Sequence, residues 1–467
     1  MPSAMKREYA AVPKGGSAKR SLFDLSRRHL TTMDGTYLVP IFWGWLFPGD
    51  IAKCRRYSAF LRMSSPLEFP LFDNLKLTIH TYFCPIRQLW DNFKYFMGEQ
   101  EDPGDSTDYT LPEVGNSTTD TSAGSKTGFA GLMRYLGVPV RTAGAGGIAE
   151  ADVGAVPFRA YCHIFNWHYR DQQQVDSAVF NTGDGPDGAY HSVYVLRKRG
   201  KRHDRFTSLL PSPQKGDSID IRGDVRHDVG DGLYPSVYST VNDAYRLLDA
   251  GLAQVDASTA AGTEANAMYV YETINDFRNA VALQQFLERD NRYGTRYDEV
   301  ILSHFGVEYN SERIAPVYLG GGSGYIQTTT IPNNSGSAGN LGDLAAIATG
   351  TLEGGGFTYA VDEPGIYMAI ANVSADISYS QGLEKKHRYR TRYDLFWPEF
   401  TRIGDQACIT AELYYQNNAT DDVVFGYEPR YEELRTEVNR TSHEFDPKDP
   451  LPLDVMHLQE ELGSAPV

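Results

Sequence analysis

From Leu75 to Phe83 apolar and polar side chains alternate, with Leu75, Leu77, Ile79, Thr81 and Phe83 on one side and Lys76, Thr78, His80 and Tyr82 on the other. A period of two predicts a half-buried strand. Pro85 ends it, and Ile86, Leu89, Trp90, Phe93, Phe96 and Met97 then recur at helical spacing up to Gly98, which predicts a short amphipathic helix. A second helix is expected from Thr273, whose hydroxyl caps the first turn while Asp276 reaches back. Its stripe of Ile274, Phe277, Ala280, Val281, Leu283 and Leu287 implies a partner surface.

Between these segments the chain is rich in turn formers. Residues 99–125 read as a long surface loop, 320–324 and 333–342 as further Gly-, Ser- and Asn-rich loops, and 217–271 as a self-contained insertion. Inside the insertion a helix capped by Thr240 and Asp243 is expected, followed by a small-residue stretch over 257–267. Residues 1–20 carry Lys6, Arg7, Lys14, Lys19 and Arg20 among small polar residues, the composition of an arm that orders against something else. Short strands between long loops, with no regular strand–helix alternation and no fixed-period repeat, predict a mainly β sandwich or jelly roll.

Composition reinforces this reading. Tyr 30 and Phe 22 beside Gly 44 and Pro 24 favour strands joined by turns. The net charge of -16 opposes indiscriminate binding along a polyanion, so any nucleic-acid contact is local or helped by a basic protein. Cys54, Cys84, Cys162 and Cys408 lie far apart without CxxC spacing, which predicts reduced buried thiols rather than a zinc site or a disulfide framework. The longest apolar run, 38–47, is broken by Pro40 and too short to span a bilayer, and no signal pattern is present, so no membrane insertion is expected.

Candidate chemistry is sparse. Residues 144–149 fit a loose dinucleotide pattern, but Pro139 precedes them and Pro157 follows where strand and helix should run. No phosphate-loop, His-Glu-x-x-His or Gly-x-Ser-x-Gly motif occurs, so no catalytic residue, metal or cofactor is assigned. Arg222-Gly223-Asp224 sits among carboxylates and reads as solvated loop. Asn181, Asp184 and Asp187 lack the calcium-loop spacing and suit a turn held by Asx hydrogen bonds better than a cation site. His29, His163 and His168 have no clustered companions and are expected to pack. The densest cationic stretch is Arg197, Lys198, Arg199, Lys201, Arg202 and Arg205, with Lys215 beyond. Such a run suits either phosphates or an acidic face of a neighbouring subunit.

The order of several phrases is more telling than any motif. Leu46-Phe47-Pro48-Gly49-Asp50, Leu89-Trp90-Asp91-Asn92-Phe93, Pro157-Phe158-Arg159-Ala160-Tyr161, Asn181-Thr182-Gly183-Asp184-Gly185-Pro186-Asp187 and Gly200-Lys201-Arg202-His203-Asp204 occur in the first half. Ser303-His304-Phe305-Gly306-Val307, Tyr318-Leu319-Gly320-Gly321-Gly322, Thr391-Arg392-Tyr393-Asp394, Val424-Phe425-Gly426-Tyr427 and Pro452-Leu453-Asp454-Val455 follow. Collinear from about residue 22 to 460, they resemble the major capsid protein of microviruses, on the gokushovirus side of these single-stranded DNA bacteriophages. Trp43-Gly44-Trp45 departs from that pattern.

The resemblance implies an eight-stranded antiparallel jelly roll, the viral capsid β-barrel, with long loop insertions and a few short helices. It implies a structural protein, not an enzyme, that assembles with itself into a T=1 icosahedral shell around circular single-stranded DNA, alongside a small basic DNA-binding virion protein. The expected location is the virion, assembled in the bacterial host cytoplasm. Residues 1–60 are then an N-terminal arm and shell-lining segment, and 61–467 the jelly-roll domain. Residues 217–271 would be a surface protrusion about the threefold axes, packed through Val241, Leu247, Leu248 and Leu252 and meeting a bacterial surface receptor. A carbohydrate-binding β-sandwich is the alternative that the residues leave open.

Overall fold

The alternating segment that begins at Leu75 is a central strand of the largest sheet. In chain order the strands are β1 (Val39–Leu46), β2 (Ile51–Arg62), β3 (Leu75–Pro85), β4 (Ser236–Ser239), β5 (Ala244–Leu247), β6 (Val317–Pro332), β7 (Leu344–Ala360), β8 (Gly365–Ser374), β9 (Asp405–Ile409) and β10 (Val424–Pro429). The computed structural model describes residues 21–63, 67, 69–97, 106, 108–115, 127–139, 153–215, 236–239, 244–247, 274–293, 315–332, 344–450, 452–459 and 462–464. Among the described residues, helices are few: α1 (Phe93–Phe96), α2 (Phe129–Tyr135), α3 (Val156–His168), α4 (Ile274–Tyr293) and α5 (Thr410–Leu413), with short 3-10 turns. The protein is mainly β.

Six strands form one antiparallel sheet in the order β1-β8-β3-β6-β7-β2, while β9 and β10 pair in a second sheet and β4 and β5 in a third. The pairs are nested: β1 with β8, β2 with β7, β3 with β6, β4 with β5. β1 and β2 are the two edges of the six-stranded sheet, yet only the turn at 47–50 separates them in sequence. Flat, the sheet would hold its edges roughly 24 Å apart, whereas the steps from Leu46 to Ile51 reach about 18 Å at most. The sheet therefore curls. The turn closes through Asp50 N–H to Phe47 O at 3.0 Å and grips the β7–β8 connection through Gly49 N–H to Val361 O and Val361 N–H to Asp50 O, both 2.9 Å.

Curling leaves β3 covered on both sides, which corrects the half-buried expectation. Leu75, Leu77, Ile79 and Phe83 face the inside of the curl, where Leu77 and Ile79 meet Leu352 and Ala371, and Phe83 meets Leu46 and Val361. Tyr82 and Cys84 face outward under α2 and α3, joining Ile366, Met368, Trp90, Phe129, Phe158 and Tyr161 in the largest core cluster. Removing that apolar surface from water is the main stabilising term.

Other expectations also change. The segment 86–97 is two short turns, Ile86–Gln88 and α1, because Asp91 N–H leaves the helical path to bond Thr182 O at 2.9 Å. Residues 320–324 lie within β6, not in a loop: a Cβ on Gly321 would come within 2.7 Å of His80, Tyr318 and the Ile79 carbonyl, so only glycine lets the strands approach there. In the loop 99–125, Pro112, Val114 and Gly115 are buried, with Val114 N–H bonded to Val153 O. In the insertion the residues after the expected cap form strand β5, paired with β4, instead of a helix. The helix predicted from Thr273 is present as α4 and exposes Phe277, Val281, Leu283 and Phe286. Segments 144–149 and 222–224 and residue Thr240 lie outside the described residues.

Candidate functional site

The cationic stretch runs beside the start of the sheet. Leu38 N–H donates to Arg197 O at 2.9 Å and Arg199 N–H to Thr36 O at 2.8 Å, so 197–199 lies antiparallel to 36–38. Buried Tyr161 locks the two together, accepting from Arg197 N–H at 2.9 Å and donating to Leu38 O at 2.8 Å. Backbone pairing alternates the side chains. Arg197 turns inward, donating to Val193 O at 2.8 Å and lying over the Phe165 ring, and Arg199 reaches Asn372 Oδ1 at 3.4 Å. Lys198, Lys201 and Arg202 are exposed, Lys198 over Tyr37 and Arg202 against Asp376 at 3.0 Å.

Arg205 is engaged inside the subunit. It grips Glu428 with two bonds, Nε to Oε2 at 2.9 Å and Nη2 to Oε1 at 2.7 Å, and reaches Glu412 Oε2 at 2.5 Å. Its side chain is 7% exposed, and the glutamates 0% and 3%. Gln406 extends the network, donating to Glu428 at 2.9 Å and Glu433 at 2.6 Å, and Tyr389 donates to Glu433 at 3.0 Å. Burial pushes the Glu412 carboxyl above its ordinary range against the pull of Arg205 and Lys385. Burial also opposes the charge of Glu433, but Lys385 and the Gln406 and Tyr389 bonds bring it below that range. The donor atoms of Cys408, Glu412 and Glu428 lie within 4.8 Å of one another, the spacing of a metal site. The guanidinium of Arg205 already supplies the cation there. An open groove of about 840 Å³ adjoins the cluster, lined in part by Arg202, Asp376, Glu432, Arg435 and Glu437.

The 181–188 turn is likewise structural. Asp187 forms a fully buried pair with Arg159, at 2.8 and 2.7 Å, and also accepts from Asn181 at 2.8 Å and Tyr194 at 2.6 Å. Asp184 accepts from Trp90 Nε1 at 2.7 Å, and Gly183 N–H donates to Asn181 Oδ1 at 2.9 Å, the expected Asx turn. Arg159 was not singled out by its sequence. A charged residue within the apolar first turns of a helix, between Phe158 and Ala160, was the available signal. His163 packs against Gln88 and His168 against Pro316 O, while His29 is exposed near Phe42. Cys84, Cys162 and Cys408 are buried free thiols, and Cys54 is half-buried. Of the four insertion residues, Leu247 ends β5 opposite Ser236, and Val241, Leu248 and Leu252 lie outside the described residues.

The most unusual property is apolar exposure. In the extended segment 21–34, Leu22, Phe23, Leu25 and Leu30 are 76–92% exposed. Tyr393, Leu395, Phe396, Trp397 and Ile403 form a second exposed group at 44–63%. Patches of this kind mark surfaces made for another protein. Residues 11–467 match the family model of the capsid protein (F protein). The chain belongs to this capsid-protein family. It is 33% identical to capsid protein VP1 of Bdellovibrio phage phiMH2K, over 97% of this chain and 87% of that one. It is 30% identical to capsid protein VP1 of Chlamydia phage 1, over 100% and 91%, and 25% identical to capsid protein VP1 of Spiroplasma virus 4, over 97% and 87%. As a member of the capsid-protein family, the chain is a structural protein and not an enzyme. No described helix is long and apolar enough to cross a membrane.

Proposed function

We propose that this protein is the shell subunit of a single-stranded DNA phage, assembling with itself into a closed T=1 capsid in the host cytoplasm. The observation that carries the reading is the exposed apolar arm, since four large side chains left almost wholly in water by their own subunit suit burial by neighbouring copies. The barrel is a jelly roll: that fold pairs strands 1·8, 2·7, 3·6 and 4·5, and the nesting of β1 to β8 supports it, as does the run β1-β8-β3-β6. Lys198, Lys201 and Arg202 supply the exposed cations for a subunit or DNA contact, with Arg197 and Arg199 holding the segment in place and Arg205 anchoring its end. A small basic virion protein balances an acidic shell against its genome. The insertion 217–271 is the surface protrusion that meets the bacterial receptor, with Val241, Leu247, Leu248 and Leu252 packing copies together. Electron microscopy of the purified protein should show closed particles of uniform size. A subunit that stays monomeric at high concentration and melts independently of concentration would overturn the reading.

A further inference from the structure

Among the described residues, the outer face of the sheet is open along β6, β7 and β2, beyond the part that α2 and α3 cover. Along β2, Arg56, Ser58, Phe60 and Arg62 share a side and are exposed, Phe60 by 71%. Arg62 pairs in register with Thr349 of β7, and Thr349 with Gln327 of β6; Phe60 pairs with Thr351. Two residues along β6 from Gln327, Tyr325 returns to the same face, 63% exposed, opposite Lys76 of β3, whose ammonium lies 5.9 Å from the ring centre. The face thus carries two bare aromatic rings two strands apart, roughly 10 Å. Between them lie small hydroxyl residues, and around them Lys76, Arg56 and Arg62. Among the described residues, Glu353 is the acidic residue beside them, 3.6 Å from Arg56.

We propose that this open face of β6, β7 and β2 binds single-stranded DNA, with Phe60 and Tyr325 stacking bases and Arg62, Arg56 and, at the β3 border, Lys76 holding the backbone. A stacked base needs a ring with a free π-face, and a sheet holds such rings at fixed spacing without a pocket. Paired bases in a duplex do not offer their faces, so the rings select a single strand while the cations alone do not. The local excess of positive charge matters because the chain as a whole is acidic, with a net charge of -16. The choice of DNA rests on the proposed capsid function.

Fluorescence anisotropy of labelled oligothymidine with the full-length subunit tests this, alongside particle counts by microscopy. Phe60→Ala and Tyr325→Ala should each weaken binding about tenfold, Phe60→Tyr should retain it, and Arg62→Gln should weaken it and flatten its salt dependence. Both rings are solvent-exposed, so circular dichroism should show each variant folded. Unchanged affinity in the alanine variants, or equal competition by a duplex of the same length, overturns the proposal. Loss of particles with unchanged affinity also overturns it, making the face a contact between copies while the capsid function stands. Loss of affinity in the alanine variants of a protein whose wild type binds the strand but forms no particles would leave the DNA face standing and remove the capsid function.

Discussion

Arg159 and Arg205 show what a buried charge does in this chain. Each guanidinium is held by carboxylates that are themselves out of water, so removing one partner strands the others. Arg205→Met should lower the stability of unassembled subunits by about 3–5 kcal/mol, read from the urea midpoint. Replacing Arg205, Glu412 and Glu428 together by apolar residues of similar volume should restore most of it. The acid dependence has a definite sign. Glu433 is held below its ordinary value of 4.5, so its contribution is complete above that pH and is lost as the pH falls through the folded value. His80 adds to the loss from the other direction: burial, with Arg199 nearby, lowers its imidazole to about 4 from 6.5, so the neutral ring stabilises above 6.5 and that gain disappears as pH falls towards 4. His80→Gln should therefore lose less stability than wild type between pH 6.5 and 4 in denaturation curves. The cationic run around Arg205 was visible in the sequence, but its partners were not, because Glu412 and Glu428 lie more than 200 residues away and nothing local marks them.

At the scale of elements, glycine misled the reading of loops. A run such as Gly320-Gly321-Gly322 looks like loop because it lacks side chains to bury. In β6 and β7 that lack is what lets neighbouring strands pass closely and the sheet bend. The segment Gly354–Gly356 of β7 makes this testable. A Cβ on Gly356 would sit 1.8 Å from the Cys54 carbonyl oxygen, a backbone atom that cannot step aside, while one on Gly355 meets nothing within 4 Å. Gly356→Ala should cost about 1–3 kcal/mol and reduce soluble yield, and Gly355→Ala should be neutral in the same melting assay. Strand β3 and helix α4 were legible because their periods are long and regular. The turns at 86–97 were not, since the partner that diverts Asp91 is Thr182, far along the chain.

For the whole molecule, the family and the mainly β character were legible in collinear phrases and β-rich composition, while the strand order was not, because register depends on contacts between distant segments. The exposed arm is the clearest global prediction. Replacing Leu22, Phe23, Leu25 and Leu30 by Ser should leave subunit stability within about 0.5 kcal/mol, measured by thermal melting, yet abolish closed particles in micrographs. The nested strand order also has a consequence in time. β1 and β2 leave the ribosome early, but β8, the partner of β1, begins more than 300 residues later. At about 5–20 residues per second the first strand waits roughly 15–65 s for its neighbour. Through that interval its apolar face is open to protease and to other nascent chains, so pulse-labelled chains should turn protease-resistant in one late step, after residue 374 has emerged, and not progressively.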